Sequence, residues 1–139
     1  PNPDMTLTVP AATENVITFG GYDNVTNAFY PKSGRGFTRE NRIKPDMTAP
    51  AVNVYGPGIS GGYTRRTGTS VACALGAGAC AQILQWGIVE DNEPYMKNNY
   101  IKNYLIRGAE RNRDIRYPSE QWGYGTINVF DSFLILTRT

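Results

Sequence analysis

The chain has 139 residues, of which 40% are hydrophobic and 19% charged. That composition suits one globular domain or part of one and excludes a disordered tail. The net charge is only +2, so charge alone implies neither a nucleic-acid partner nor an anionic membrane, and the absence of histidine excludes a Ser-His-Asp or Cys-His unit completed within the chain, as well as any histidine-based zinc site.

Residues 1–13, with Pro1, Pro3 and Pro10, form an irregular opening. The first residue is Pro, and no charged-then-apolar segment follows it, so targeting information is expected to be absent or removed with an upstream region. Asn15–Tyr22 is β-branched and aromatic with a near-continuous apolar centre, which predicts a strand covered on both faces. Asp23–Arg42 is a long polar connection around Ser33-Gly34-Arg35-Gly36. Its basic residues Lys32, Arg35, Arg39 and Arg42, with Lys44 beyond, read as a solvated loop and not as a nucleic-acid surface.

Met47-Thr48-Ala49-Pro50 is a short extended piece bracketed by prolines. Val52–Tyr55 reads as a second strand, Gly56–Gly62 as a mobile turn region and Tyr63–Thr67 as a further short strand. Thr67–Val89 carries no charge, and its length permits a membrane span. Its glycines 68, 76, 78 and 87 and its polar Gln82 and Gln85 instead predict a helix buried inside the protein, from Ser70 to about Trp86, with Gly87 as C-cap. Two glycines inside a helix cost about 1 kcal/mol each against alanine, so packing must hold this one.

Cys73 and Cys80 lie seven residues apart, about 10.5 Å of helical rise, too far for a disulfide. Both read as small buried apolar residues. Glu90, Asp91 and Glu93 read as an acidic loop without metal-site spacing. Glu93–Arg107 predicts a second helix, with Pro94 in its first turn, a stripe of Ile101, Leu105, Tyr100 and Tyr104, and Gly108 at its end. Arg111, Arg113 and Arg116 read as solvated, and Trp86 and Trp122 as packing residues. Asn128–Leu136 predicts a last helix packed through Phe130, Phe133 and Leu134.

Chemistry concentrates in Thr67-Gly68-Thr69-Ser70-Val71-Ala72. A serine at the start of a buried helix sits among backbone N–H groups that lack partners. Those donors and the positive helix end suit a developing oxyanion. Gly68 lets a substrate approach the backbone. The plainer reading is that Ser and Thr serve as ordinary N-caps or turn residues.

The wider pattern goes further. Gly68-Thr69-Ser70-Val71-Ala72, followed by Ala77-Gly78, resembles the nucleophile motif of the subtilisin-like serine proteases, the subtilase family. Lys44-Pro45-Asp46-Met47-Thr48-Ala49-Pro50 resembles that family's Lys-Pro-Asp-x-x-Ala-Pro segment. Asn15–Gly20 resembles its Asn-Val-Ile-x-Val-Gly strand, and Gly123-Tyr124-Gly125-x-Ile127-Asn128 its closing segment. The four matches stand in the family's order and span residues 15–129.

The resemblance implies an α/β fold over residues 1–139: part of a doubly wound parallel sheet, with a buried central helix beginning at the nucleophile serine. It implies a serine endopeptidase in which Ser70 attacks the scissile carbonyl, and in which Gly68, Thr69 and Ser70 form the substrate and oxyanion side. The triad histidine and aspartate and the oxyanion asparagine have no counterparts here. Asp4, Asp23 and Asp46 are not triad residues, Asn2 and Asn15 are not oxyanion donors, and Asp46 reads as structural. The expected partners are a peptide or protein substrate and the missing N-terminal half of the catalytic domain. No cofactor, metal, nucleic acid or membrane span is expected.

After Ala72 the family pattern of a small residue, Pro, His and Val is replaced by Cys73-Ala74-Leu75-Gly76, which marks a divergent branch similar to clostridial-type subtilases. A secreted or spore-associated location follows only from that likeness. The other reading is a catalytically inactive relative that serves as a binding or signalling scaffold.

Overall fold

The computed structural model describes residues 4–138. Pro1, Pro3 and Asn2 of the opening segment lie outside the described residues. The fold is mixed α/β, as the motifs implied. Strand β1 (Phe19–Asp23) pairs in parallel with β3 (Met47–Pro50), Phe19 opposite Met47 and Tyr22 opposite Pro50. A two-residue strand β2 (Ala28–Phe29) returns antiparallel against the end of β1. Strands β4 (Val54–Pro57) and β5 (Tyr63–Arg66) form a separate hairpin. The helices are α1 (Thr69–Leu84), α2 (Asn98–Gly108) and α3 (Val129–Leu136), and a π-helical turn, Gln85–Val89, extends α1.

The proline-bracketed piece at 47–50 is the end strand of a three-stranded sheet ordered β2-β1-β3. Its other edge is closed by the C-terminal segment: the Thr48 N–H donates to Gly125 O at 2.9 Å, and the Ile127 N–H donates to Thr48 O at 2.8 Å. Gly123 allows that approach. It has φ +57°, and a Cβ there would run into the carbonyls of Pro45 and Asp46. The first strand starts later than its apolar run because residue 18 is held by Asp46: Thr18 N–H donates to Oδ2 at 2.7 Å, and Asp46 N–H donates back to Thr18 O at 2.9 Å.

Lys44 overturns its surface reading. It is 1% exposed and pairs with fully buried Asp46, Nζ to Oδ2 at 2.7 Å, while also donating to Val16 O at 2.6 Å. Lys102 of α2 reaches Asp46 Oδ1 at 2.5 Å. One carboxylate thus bridges two ammonium groups and ties β1, β3 and α2 together. An ion left unpaired at such depth would cost several kcal/mol.

Helix α1 lies on the sheet through Ala72, Gly76, Ala79 and Ile83. Most of its remaining positions are exposed, including Cys73, Ala74, Leu75, Ala77 and Gly78. The helix expected to be buried is covered on one stripe only, and Cys73 is an exposed thiol, not a buried one. Thr69–Val89 is long and apolar enough to cross a membrane, judged by length and hydropathy.

Gly87 does not cap the helix. It sits inside the π-helical turn, where a Cβ would stand 2.8 Å from Met96 Cε. The second helix begins at Asn98, so Pro94 lies before it, and it buries Ile101 and Leu105 as the stripe predicts. The last helix is capped by Asn128, whose side chain accepts the Asp131 N–H at 3.0 Å. It buries Ser132 and Leu136, while Phe133 packs on the core and Phe130 is 71% exposed. Trp122 is buried between Tyr22 and Phe29, with ring centroids 5.8 and 5.9 Å away.

Candidate active site

The hairpin delivers the chain to the start of α1, and the link between β3 and β4 clamps it there. Gly68 N–H donates to Ala51 O at 2.8 Å, and Asn53 N–H donates to Thr67 Oγ1 at 2.9 Å. Asn53, at φ +50°, turns the backbone so that its N–H meets Thr67. No sequence signal marks Ala51 or Asn53 for this work.

Gly68 is the N-cap residue, at φ +152°, and no side chain caps the helix. The ordinary capping reading of Thr69 and Ser70 therefore does not hold. Ser70 is exposed, and among the described residues its hydroxyl makes no hydrogen bond. The helix-start N–H groups beside it carry the partial positive charge of the helix end. A Cβ at Gly68 would stand 4.0 Å from Ser70 N, with nothing nearer, so the side of that N–H is open to an approaching carbonyl.

Thr69 is half-buried and lines a cavity of about 450 Å³ together with Thr18, Phe19, Gly20, Ser33 and Leu7. The cavity runs along the edge of β1. On that edge Gly21 is occupied: it accepts the Tyr30 N–H at 3.0 Å, and its own N–H donates to Ser33 Oγ at 3.0 Å. Residues 18 and 22 turn their carbonyls the other way, to the β3 side. By alternation the N–H and C=O of Phe19 face the cavity.

The carboxylates of Asp46 and Asp23 are both engaged. The Asp46 carboxylate is consumed by Lys44, Lys102 and the Thr18 N–H. Asp23 folds onto its own loop, and the Val25 N–H, donating to Oδ1 at 2.9 Å, holds its carboxyl below the usual range. Asn15 offers its backbone carbonyl to Asn98 Nδ2 at 3.0 Å.

Sequence comparison decides the family. The subtilase family (Peptidase_S8) matches residues 1–125. The chain belongs to the subtilase family. It is 30% identical over 138 residues to the membrane-bound transcription factor site-1 protease of Mus musculus, covering 95% of this chain and 12% of that protein. It is 28% identical to the serine protease AprX of Bacillus subtilis, covering 92% of this chain and 32% of AprX. Among solved structures it superposes on the Clostridium perfringens CspB protease with a TM-score of 0.93 and 36% identity, over 98% of this chain and 30% of CspB. The patellamide maturation protease PatA matches at TM-score 0.76 and 26% identity, over 99% of this chain and 48% of PatA. The subtilase chain described here thus spans less than half the length of each of these relatives. The CspB match agrees with the clostridial likeness of the sequence.

Proposed function

We propose that this chain supplies the nucleophile half of a serine endopeptidase, with Ser70 as the nucleophile. The observation that carries the reading is an exposed, unengaged serine hydroxyl at an uncapped helix start, inside a subtilase sequence. Ser70 Oγ adds to the scissile carbonyl carbon, and its proton passes to a base from the rest of the protein, since this chain holds no histidine. The Ser70 N–H donates to the oxyanion. On collapse the base gives that proton to the leaving nitrogen, the C–N bond breaks, and the amine departs to leave an acyl-serine, which water then hydrolyses. Gly68 and Thr69 flank the substrate.

The remainder of the catalytic domain is the proposed partner. The exposed small-residue face of α1 and the open β1 edge at Phe19 support this: one offers a surface for close packing, the other unpaired strand groups.

The test is hydrolysis of a peptide library by the full-length polypeptide that carries this segment, combined with labelling by a fluorophosphonate. The expected result is covalent label on Ser70 and loss of turnover by at least about a thousandfold in Ser70→Ala. The isolated 139-residue chain is expected to hydrolyse nothing above background. Full-length protein that binds peptide but neither turns it over nor takes the label overturns the assignment and leaves a binding scaffold.

A further inference from the structure

Between Asp46 and Glu90 the chain carries two charges only, Arg65 and Arg66. They close strand β5, and Ser70 follows Arg66 by four residues. The hairpin register sets Arg65 opposite Tyr55 and Arg66 opposite Val54, so strand alternation sends the two guanidinium groups to opposite faces.

Arg65 is occupied. Its Nη1 donates to Asn53 O at 2.9 Å, and the guanidinium stands 5.7 Å from the centroid of the Tyr55 ring, which stacks on Tyr63 at 5.1 Å. This fastens the base of the hairpin to the same Asn53 that clamps Thr67. Arg66, on the face shared with half-buried Val54 and Thr64, is exposed. Among the described residues its guanidinium makes no ion pair and no hydrogen bond. A planar fork of five donors thus stands at the end of β5, four residues before the serine, with no acid from residues 47–89 to neutralise it.

We propose that Arg66 selects peptide substrates bearing an acidic side chain within two residues of the scissile bond. This rests on Ser70 being the nucleophile. Four Cα steps place the Arg66 Cα at most about 15 Å from that of Ser70. The arginine side chain covers part of that interval, and an extended peptide advances about 3.3 Å per residue. A carboxylate one or two residues from the cut therefore falls within reach of the guanidinium and can be held by paired N–H···O bonds. Arg65 is a positioning residue: it holds the strand and leaves Arg66 to meet the ligand.

The experiment uses the full-length polypeptide and matched peptides with Glu or Gln at each of the two positions on either side of the cut. Fluorophosphonate labelling counts competent sites in every variant. At low salt, Glu is expected to be favoured over Gln in kcat/KM by about three- to tenfold at one of these positions, and the preference shrinks in about 0.5 M salt. Arg66→Gln brings the ratio towards one, Arg66→Lys restores part of it, and Arg66→Glu shifts the preference to peptides with Lys at that position. A flat Glu-to-Gln ratio in the wild type, or a ratio that Arg66→Glu leaves in place, overturns the proposal while the Ser70 assignment stands. Turnover that survives Ser70→Ala overturns the assignment beneath it.

Discussion

The ring of Phe19 in β1 occupies the space that a side chain at Gly76 would need. A Cβ at position 76 would overlap three atoms of that ring, so helix and sheet meet here at the closest approach their backbones allow. Gly76→Ala is therefore expected to destabilise the fold by about 1–3 kcal/mol through overpacking, and Gly76→Val to prevent it. Gly78, two residues on, meets nothing within 4 Å. In the isolated chain Gly78→Ala should stabilise by about 0.5–1 kcal/mol through helix propensity. In the full-length protein the same change should be neutral or costly, because the outer face of α1 is then covered. Urea unfolding of both variants in both contexts checks this, and a stabilising Gly78→Ala in the full-length protein speaks against coverage of that face.

The buried charges predict non-additive stability. Asp46→Ala leaves Lys44 without its counter-ion and should cost about 3–5 kcal/mol. Replacing Lys44 by Met and Asp46 by Leu together should cost less than Asp46→Ala alone, since Lys102 is half-buried and can turn to water. A double-mutant cycle measures the coupling, and simple additivity would refute it.

The same pair gives a pH dependence. Burial pushes the Lys44 ammonium below its ordinary value of 10.5, against the opposing pull of Asp46. A lysine lowered in the folded state is held protonated by the unfolded chain up to about 10.5, while the folded chain releases the proton earlier. In that window the unfolded state binds more protons, so stability rises with pH; below the folded value the cost of the buried charge is present in full. Relative to Lys44→Met, the wild type is expected to gain stability on going from neutral towards pH 10. Parallel unfolding curves across that range would show that the lysine does not titrate in this way.

Gly68 serves folding and catalysis together. At φ +152° an alanine is strained by about 1–3 kcal/mol, and its Cβ stands 4.0 Å from Ser70 N. Gly68→Ala should lower the melting temperature by several degrees and, at a temperature where the variant is still folded, lower kcat/KM in the full-length enzyme by at least about tenfold. Turnover at the wild-type level would show that the approach lies elsewhere.

The two thiols offer a footprint of the outer helix face. Cys73 is exposed, and Cys80 is half-buried with its thiol pushed up by burial and then by the charge of Cys73. In the isolated chain a maleimide at neutral pH should modify Cys73 first. In the full-length protein Cys73 should be protected. Equal rates in the two contexts would argue against a partner on that face.

Much of this site was legible because the Gly-Thr-Ser and Lys-Pro-Asp motifs keep their spacing, and because the α2 stripe alternates cleanly between apolar and polar residues. Other features were not legible for physical reasons. Lys44 looks like its basic neighbours, and only the carboxylate two residues later makes its burial tolerable, against the like charge that α2 brings in with Lys102. The strand at 47–50 is too short to show a period and lies between prolines. In α1, alanine, glycine and cysteine on every side leave no contrast from which to read which face packs. Phe130 reads as a packing residue of α3, but the short helix buries the small Ser132 instead, where Gly108 leaves room for it.

The end strand β3 receives its second neighbour at Thr48 from a residue 77 positions later, Gly125. During synthesis at about 5–20 residues per second, that edge waits roughly 4–15 s after Thr48 emerges from the ribosome before its partner emerges in turn. The apolar length of α1 is made within the same interval. Nascent chains of this protein are therefore expected to depend on chaperone shelter until the Trp122–Ile127 segment emerges, and truncation before Gly123 should yield insoluble protein however intact the serine loop.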